Sequence, residues 1–426
     1  MPSFLLYAAT AVSGASAAFQ GFNYGSSLSS GAAKQQSDFE TEFKTAAGLD
    51  GTNGAFTSAR LFTMIQANTP NTPIAAIPAA INTKTSLLFG LWASSGQDAF
   101  NNELAALKST ISQYCSQLDG LVAGISVGSE DLYRASPLGV SRSEGNPGAT
   151  ADTIVSYIGQ VRDTVKGSCL SNVPVGHVDT YDVYTDGANK NVIDVCDFLG
   201  VDAYPYFETN KTNNVENGAA LFRGDISDVQ AVAGGKPIWI TESGWPVSGP
   251  QENLAVPGTA QAQLYWKQAG CPLFGNTNVW WYTLQDSSTA PQPSSSGPSF
   301  GVVGSTLSTK PLYDLSCSGS SNSSNGNGSG NGSQVPSQSS ASSPSPSGAV
   351  PVNAGSSPVP AGATLATPAG AAPVPASTAP VTGGNGKVGS PAGSNNSTVI
   401  VPTGAGSRFN ALMGAAAGVV MVAAAL

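Results

Sequence analysis

Histidine occurs once in 426 residues, at His177, and the five cysteines (Cys115, Cys169, Cys196, Cys271 and Cys317) form no CxxC pair and no Cys/His cluster. That scarcity argues against structural zinc, which needs several such ligands at short spacing. Basic residues are also few, with 17 Lys plus Arg against 26 Asp plus Glu. An acidic balance argues against nucleic acid or anionic lipid as a partner and favours a neutral ligand. No GxGxxG follows the first strand-like run, so a dinucleotide fold lacks its phosphate-binding turn. No apolar run reaches the ~20 residues of a membrane-spanning helix.

Beyond Cys317 acids are absent, Lys387 and Arg408 are the only charges, and Phe409 is the only aromatic. Such a segment cannot bury enough apolar surface to offset the entropy of ordering it. Residues 318–396 therefore read as a disordered Ser/Gly/Asn-rich, then Pro/Ala-rich stalk, with Ser and Thr open to O-glycosylation. Sequons stand at Asn322, Asn327, Asn331, Asn395 and Asn396, and one in the body at Asn210. Residues 1–18 are apolar and end Ser16-Ala17-Ala18, the pattern of a cleaved secretory leader. Residues 411–426 are wholly apolar or small and follow small-residue clusters, the signal for exchanging the tail for a GPI anchor. Asn396 is the expected attachment residue, with Asn395 and Gly404 as alternatives, so that 397–426 would be removed. The expected location is the outer face of the cell membrane and the cell wall, with some protein released. An oxidising compartment with an odd cysteine count allows at most two disulfides and leaves one thiol, the pairing being open.

Residues 19–317 are close to the ~250 residues of a (β/α)8 barrel. Eight short apolar or β-branched runs recur, at 21–24, 58–62, 87–92, 121–127, 173–178, 198–203, 237–241 and 279–284, with helical patterns between them. Phe100, Leu104, Leu107, Ile111, Cys115 and Leu118 fall on one helix face, as do Ile154, Ile158, Val161 and Val165 behind Asp152 as N-cap, and Leu221, Phe222, Ile226 and Val229. The reading is α/β: a single TIM barrel followed by the stalk.

A barrel enzyme carries its reacting groups at the C-terminal ends of its strands. Glu130 ends the fourth run, and Glu242 ends the seventh, just before Ser243-Gly244-Trp245-Pro246. Two carboxylates facing across a barrel mouth suit glycosidic bond cleavage, one protonating the leaving oxygen and the other attacking or activating water. Glu130 alone is also consistent with a solvated strand end, with Arg134 as an ion-pair partner, and Glu242 less so because the rigid, aromatic-bearing turn Gly244-Trp245-Pro246 follows it directly. Aromatics near strand ends supply the apolar area that sugar faces need. The candidates are Tyr24, Tyr181, Tyr204, Tyr206, Trp245, Trp281 and Tyr282, with Tyr24 and Trp245 foremost. Asp179, Asp202 and Asp286 are candidate supporting acids, Asp202 being the one expected to line the cleft. His177 reads as a packed, hydrogen-bonded residue.

The runs Gly21-Phe22-Asn23-Tyr24-Gly25, Val127-Gly128-Ser129-Glu130 and Ile240-Thr241-Glu242-Ser243-Gly244-Trp245-Pro246 resemble glycoside hydrolase family 17, the β-1,3-glucanase family of plants and fungi. With leader, stalk and tail, the whole chain looks like a fungal GPI-anchored endo-1,3-β-glucosidase of that family. The resemblance spans residues 19–317 and implies a retaining barrel enzyme acting as a monomer on β-1,3-glucan. Glu130 becomes proton donor and then general base, and Glu242 the nucleophile; the expected substrate-binding residues are Tyr24, Ser129, Tyr204 and Trp245. Many relatives place Asn where this chain has Ser129, a shorter side chain. No metal or organic cofactor is implied.

Hydrolysis and transglycosylation share one glycosyl-enzyme intermediate, so wall remodelling by transfer is the alternative reading. A non-catalytic glucan-binding protein would be expected to lose a glutamate, and an adhesin would need its binding groups in the stalk. A chain ending at Cys317 is expected to cleave soluble glucan as fast as the full chain. A large loss of rate on that truncation would move binding function into the stalk.

Overall fold

The structure, a computed structural model, describes residues 18–142, 147–286 and 297–317. The leader, the stalk and tail, the sequons at Asn322, Asn327 and Asn331, and the attachment candidates Asn395, Asn396 and Gly404 lie outside the described residues.

Eight parallel strands close on themselves in sequence order. They are β1 Gln20–Tyr24, β2 Ser58–Leu61, β3 Ser86–Leu91, β4 Val122–Val127, β5 Val175–Thr180, β6 Leu199–Asp202, β7 Ile238–Glu242 and β8 Val279–Trp281. Each predicted run contains its strand or overlaps it. The fifth begins two residues later than read and ends on Thr180, because Asp179 and Thr180 pair with Val201 and Asp202. The ladder thus carries β5 past its apolar stretch. At β7 the shift brings Glu242 inside the strand, opposite Asp202.

The helices are α1 Gln36–Ala47, α2 Ala76–Thr83, α3 Gln97–Tyr114, α4 Asp131–Ala135, α5 Pro137–Arg142, α6 Ala151–Val165, α7 Tyr181–Thr185, α8 Lys190–Val195, α9 Val215–Val232 and α10 Thr259–Tyr265. The predicted stripes face inward: Phe100, Leu104 and Leu107 on α3, and Ile154, Ile158, Val161 and Val165 on α6, are buried. Fully burying a side chain of this kind contributes ~1.5–3 kcal/mol, and this burial holds the helices to the sheet. One expectation is corrected at α6: its N-cap is Thr150, whose hydroxyl accepts from Thr153 N–H, and Asp152 lies in the first turn. There its charge meets the positive end of the helix dipole.

Cys115 pairs with Cys169 and Cys271 with Cys317, leaving Cys196 as a buried thiol. The second bridge ties the last described residue to the segment after α10. The first links the end of α3 to the segment after α6 across a sequence separation of 54, so it restricts the unfolded chain considerably. Cys115→Ser is expected to destabilise the fold by about 2–4 kcal/mol. Denaturant unfolding beside the parent under oxidising conditions measures this, and equal midpoints would contradict it.

Candidate active site

The turn after β4 explains how Glu130 is presented. Gly128 has φ 83° and Glu130 has φ 55°, both left-handed. A Cβ on Gly128 would fall 2.0 Å from an Asp131 carboxylate oxygen, so glycine is required there. For Glu130 the left-handed backbone costs ~1–2 kcal/mol, and its neighbours hold it. Its N–H donates to the Val178 carbonyl at 2.9 Å. Arg134 Nη2 donates to the Ser129 carbonyl, and Asp179 accepts from the N–H groups of Leu132 at 2.8 Å and Tyr133 at 3.2 Å. Arg134 Nη1 also lies 3.5 Å from Glu130 Oε2, while the Arg134 guanidinium stacks 4.8 Å from the Trp92 ring centroid.

Glu242 closes β7 and meets a different set. Arg60 Nη1 lies 2.5 Å from Glu242 Oε1, and the Tyr204 hydroxyl donates to Oε2 at 2.7 Å. The same guanidinium donates to Asn23 Oδ1 at 2.7 Å and to Ser129 Oγ at 2.9 Å. Asn23 is fixed in turn by its amide N–H groups, which donate to the carbonyls of Thr241 at 3.1 Å and Trp280 at 3.0 Å. Arg60 also packs over the Phe62 ring, 4.9 Å from its centroid.

Both glutamates are nearly buried, Glu130 at 8% exposure and Glu242 at 6%, yet their surroundings differ. The Glu130 carboxyl is pushed well above the ordinary range, first by burial, then by the charges of Glu242 and Asp202, with Arg134 pulling the other way. Burial works against the Arg60 charge, but Asp202 and Glu242 outweigh it and raise the guanidinium's pKa. The Tyr204 phenol is raised well above its usual value, mainly by burial and then by Glu242, so it keeps its proton and donates it to the carboxylate. One carboxyl is thereby favoured as an acid, and the other is held between a cation and a phenol.

The remaining candidates divide. Ser129 and Tyr204 touch the machinery as described. Tyr24 is buried edge-on to Phe43 at 5.1 Å, its hydroxyl without a partner among the described residues. Trp245 is 1% exposed, with its indole N–H donating to the Val256 carbonyl and its ring against Tyr206 and Tyr265. Neither leaves a ring face open to a sugar, because each is closed into the aromatic core. Tyr206 and Trp281 are likewise buried. The half-buried rings next to strand ends are Phe62, Trp92, Tyr181 and Tyr282. Asp202 does not line the cleft: at 1% exposure it lies behind Glu242, accepting from Thr241 Oγ1 at 2.6 Å. Asp286 braces a loop by accepting from the Phe300 and Gly301 N–H groups. His177 is fully buried and hydrogen-bonded. Asn210 is exposed in a turn.

Sequence reasoning missed Arg60. The available signal was a lone cation inside the apolar run 58–62, which the strand alternation commits to the same face as Ser58.

A closed α/β barrel with two carboxylates of opposed character at its strand ends defines a glycosidase-type site. The BtgE/BtgC glycoside hydrolase domain matches residues 21–301. A protein of Aspergillus fumigatus named "Probable glucan endo-1,3-beta-glucosidase eglC" is 57% identical over 317 residues, 74% of this chain and 69% of that protein. Its namesake in Aspergillus oryzae is 55% identical, over 74% of this chain and 67% of the relative. A family 17 β-1,3-glucanosyltransferase structure from Rhizomucor miehei shares the fold at TM-score 0.54 and 22% identity, over 70% of this chain and 97% of that one. The chain belongs to the BtgE/BtgC glycoside hydrolases, a family 17-type group, as its motifs imply.

A raised carboxyl has a signature in stability as well as in rate. The folded state holds the Glu130 proton more tightly than the unfolded chain, so the cost is absent below ~4.3 and grows as pH climbs towards the folded-state value. Glu130→Gln is expected to abolish turnover yet be more stable than the parent at pH 7, with the advantage absent at pH 4. Urea unfolding at pH 4 and pH 7 measures this; a variant less stable than the parent at pH 7 would contradict the assigned direction.

Proposed function

We propose that the protein hydrolyses internal β-1,3-glucosidic bonds of glucan with retention of configuration. The observation that carries this reading is the opposed surroundings of the two glutamates. Glu130, favoured in its protonated form, gives its proton to the departing glycosidic oxygen while a Glu242 oxygen attacks the anomeric carbon. Glu130, now a carboxylate, takes a proton from water as that water displaces Glu242 and restores both groups. Arg60 and Tyr204 hold the attacking carboxylate in one orientation, which converts binding into alignment. The names of the Aspergillus relatives support the substrate class.

A second reading is transfer of the glycosyl group to another glucan instead of water. The half-buried rings of Phe62, Trp92, Tyr181 and Tyr282 favour it, since ring surface near the strand ends suits a sugar acceptor. The apolar leader, the glycosylatable stalk with Asn322, Asn327 and Asn331, the exposed sequon at Asn210 and the small-residue site at Asn396 before an apolar tail support a secreted, GPI-anchored protein acting at the cell wall.

Timed product analysis on reduced laminari-oligosaccharides, with Glu242→Ala as control, tests the reading. Shorter products from internal cleavage, absent in the control and first released as the β-anomer, are expected. Products longer than the substrate would favour transfer, and no reaction with any β-1,3-glucan would overturn both readings. The kcat/KM profile is expected to fall on its alkaline side at a pH above the ordinary glutamate range, where Glu130 loses its proton. An alkaline limb within that ordinary range would contradict the role given to Glu130.

A further inference from the structure

We infer that His177 is a standing imidazolium, and that its pair with Asp179 clamps the Glu130 turn, making His177 a positioning residue for the acid of the proposed reaction. The inference rests on donor and acceptor accounting at two fully buried side chains. Nδ1 of His177 lies 2.6 Å from the Val127 carbonyl, which can only accept, so Nδ1 carries a proton. Nε2 lies 2.9 Å from Asp179 Oδ2. That oxygen already accepts from Leu132 N–H, and Oδ1 accepts from Tyr133 N–H and, at 2.9 Å, from Thr180 N–H. Three backbone N–H donors converge on Asp179, and such bonds favour the charged carboxylate over an acid that would donate its hydrogen to a neutral Nε2. In the pair so favoured, Nε2 is the donor to Asp179 Oδ2. Both ring nitrogens carry protons.

The titratable groups on the elements packed against the ring are mostly acids. Asp179 shares β5 with it, and α4 brings Asp131 and Arg134, the turn ahead of α4 carrying Glu130. From α7 come Asp182 and Tyr184, the latter donating its hydroxyl to the His177 carbonyl at 2.8 Å. Cys196 follows α8, and burial first of all pushes its thiol up to about 12, so it adds no charge. β6 contributes Asp202. Burial alone would drive the proton off the imidazole, but the Asp179 contact and then Asp131 outweigh it and raise its pKa.

The pair acts where the acid is aimed. His177 grips the last residue of β4 through Val127. Asp179 caps the first N–H groups of α4, a place usually served by the residue before a helix. That residue here is Glu130, whose left-handed backbone and site-directed side chain leave it unable to cap its own helix. The strand next door supplies the cap, and the imidazolium balances the charge this requires.

Because the chain holds one histidine, a long-range 1H–15N spectrum of the uniformly 15N-labelled full chain reports one imidazole. Both nitrogens are expected to stay protonated from pH 5 to pH 8. A neutral-ring pattern at pH 7, or a midpoint near the ordinary ~6.5, would overturn the inference without affecting the hydrolase reading. His177→Gln is expected to lower kcat by about 10- to 100-fold with KM within about twofold, as misplacement of a reacting group does. It is also expected to move the alkaline limb of kcat/KM upward, because Asp179 loses its counter-charge and faces Glu130 unbalanced. Unchanged kcat, or a fall without movement of the limb, would overturn the positioning role. Should the Gln variant fail to fold, the isosteric Asp179→Asn is expected to give the same loss of kcat, and full activity there would likewise overturn it.

Discussion

The Arg60 guanidinium is the interaction on which the site depends. It is fully buried, yet it reaches three parts of the barrel mouth: Asn23 on β1, Ser129 after β4 and Glu242 on β7. A buried ion pair of this kind gains little net stability, since desolvation consumes most of the Coulomb attraction. Breaking it by removing one partner leaves an unpaired buried charge, at a cost of ~3–5 kcal/mol. The fold accommodates Arg60 because every strand end it touches is fixed by other bonds, so the geometry is set before the charge is added. Only then does a guanidinium 2.5 Å from Glu242 Oε1 act as an orienting device with no rearrangement during reaction.

The two glutamates show how one cleft gives two carboxyls different surroundings. Glu130 sees burial and like charge, with Arg134 at 3.5 Å as partial relief. Glu242 sees a shorter, charge-assisted contact and a phenol that keeps its proton. The cations are arranged alike: Arg60 stands between Glu242 and the Phe62 ring, and Arg134 between Glu130 and the Trp92 ring. An aromatic face favours a guanidinium that stays charged and flat, so each ring helps to fix a cation that in turn fixes a carboxylate. Asp202, opposite Glu242 in the ladder, adds to the like charge that raises the Glu130 carboxyl.

Much of the fold was legible because barrel strands write themselves as short apolar runs, and α3 and α6 as three-and-four stripes. The boundaries that failed did so where the ladder extends past apolar residues, as at Asp179 and Thr180. Glu130 and Glu242 were legible because an acid directly after a buried run is costly unless it has a use. The aromatic assignments were less successful: composition cannot distinguish a ring that faces the cleft from one that closes the core. Trp245 closely follows Glu242 in sequence yet is buried with a satisfied indole, whereas Phe62 and Trp92 had only strand-end positions to recommend them. Arg60 was hidden for a related reason, since a single cation in a strand reads as an edge feature until the closed sheet shows that there is no edge.

Ser129 shows how a departure from the family pattern is absorbed. An Asn at this position would carry its own amide donors on a longer side chain, whereas the Ser hydroxyl accepts from Arg60 Nη2 at 2.9 Å and keeps its one proton to donate. The hydroxyl is therefore polarised by the same guanidinium that orients Glu242, and it lies next in sequence to Glu130. Glu242 and the Ser129 hydroxyl are joined through one cation, so a displacement of Arg60 would be felt at both. Hydrogen bonds in such a chain strengthen one another in a low-dielectric interior. That coupling accounts for a short side chain in the place of a long one: reach is lost at Ser129, and a connection to Glu242 through Arg60 is gained.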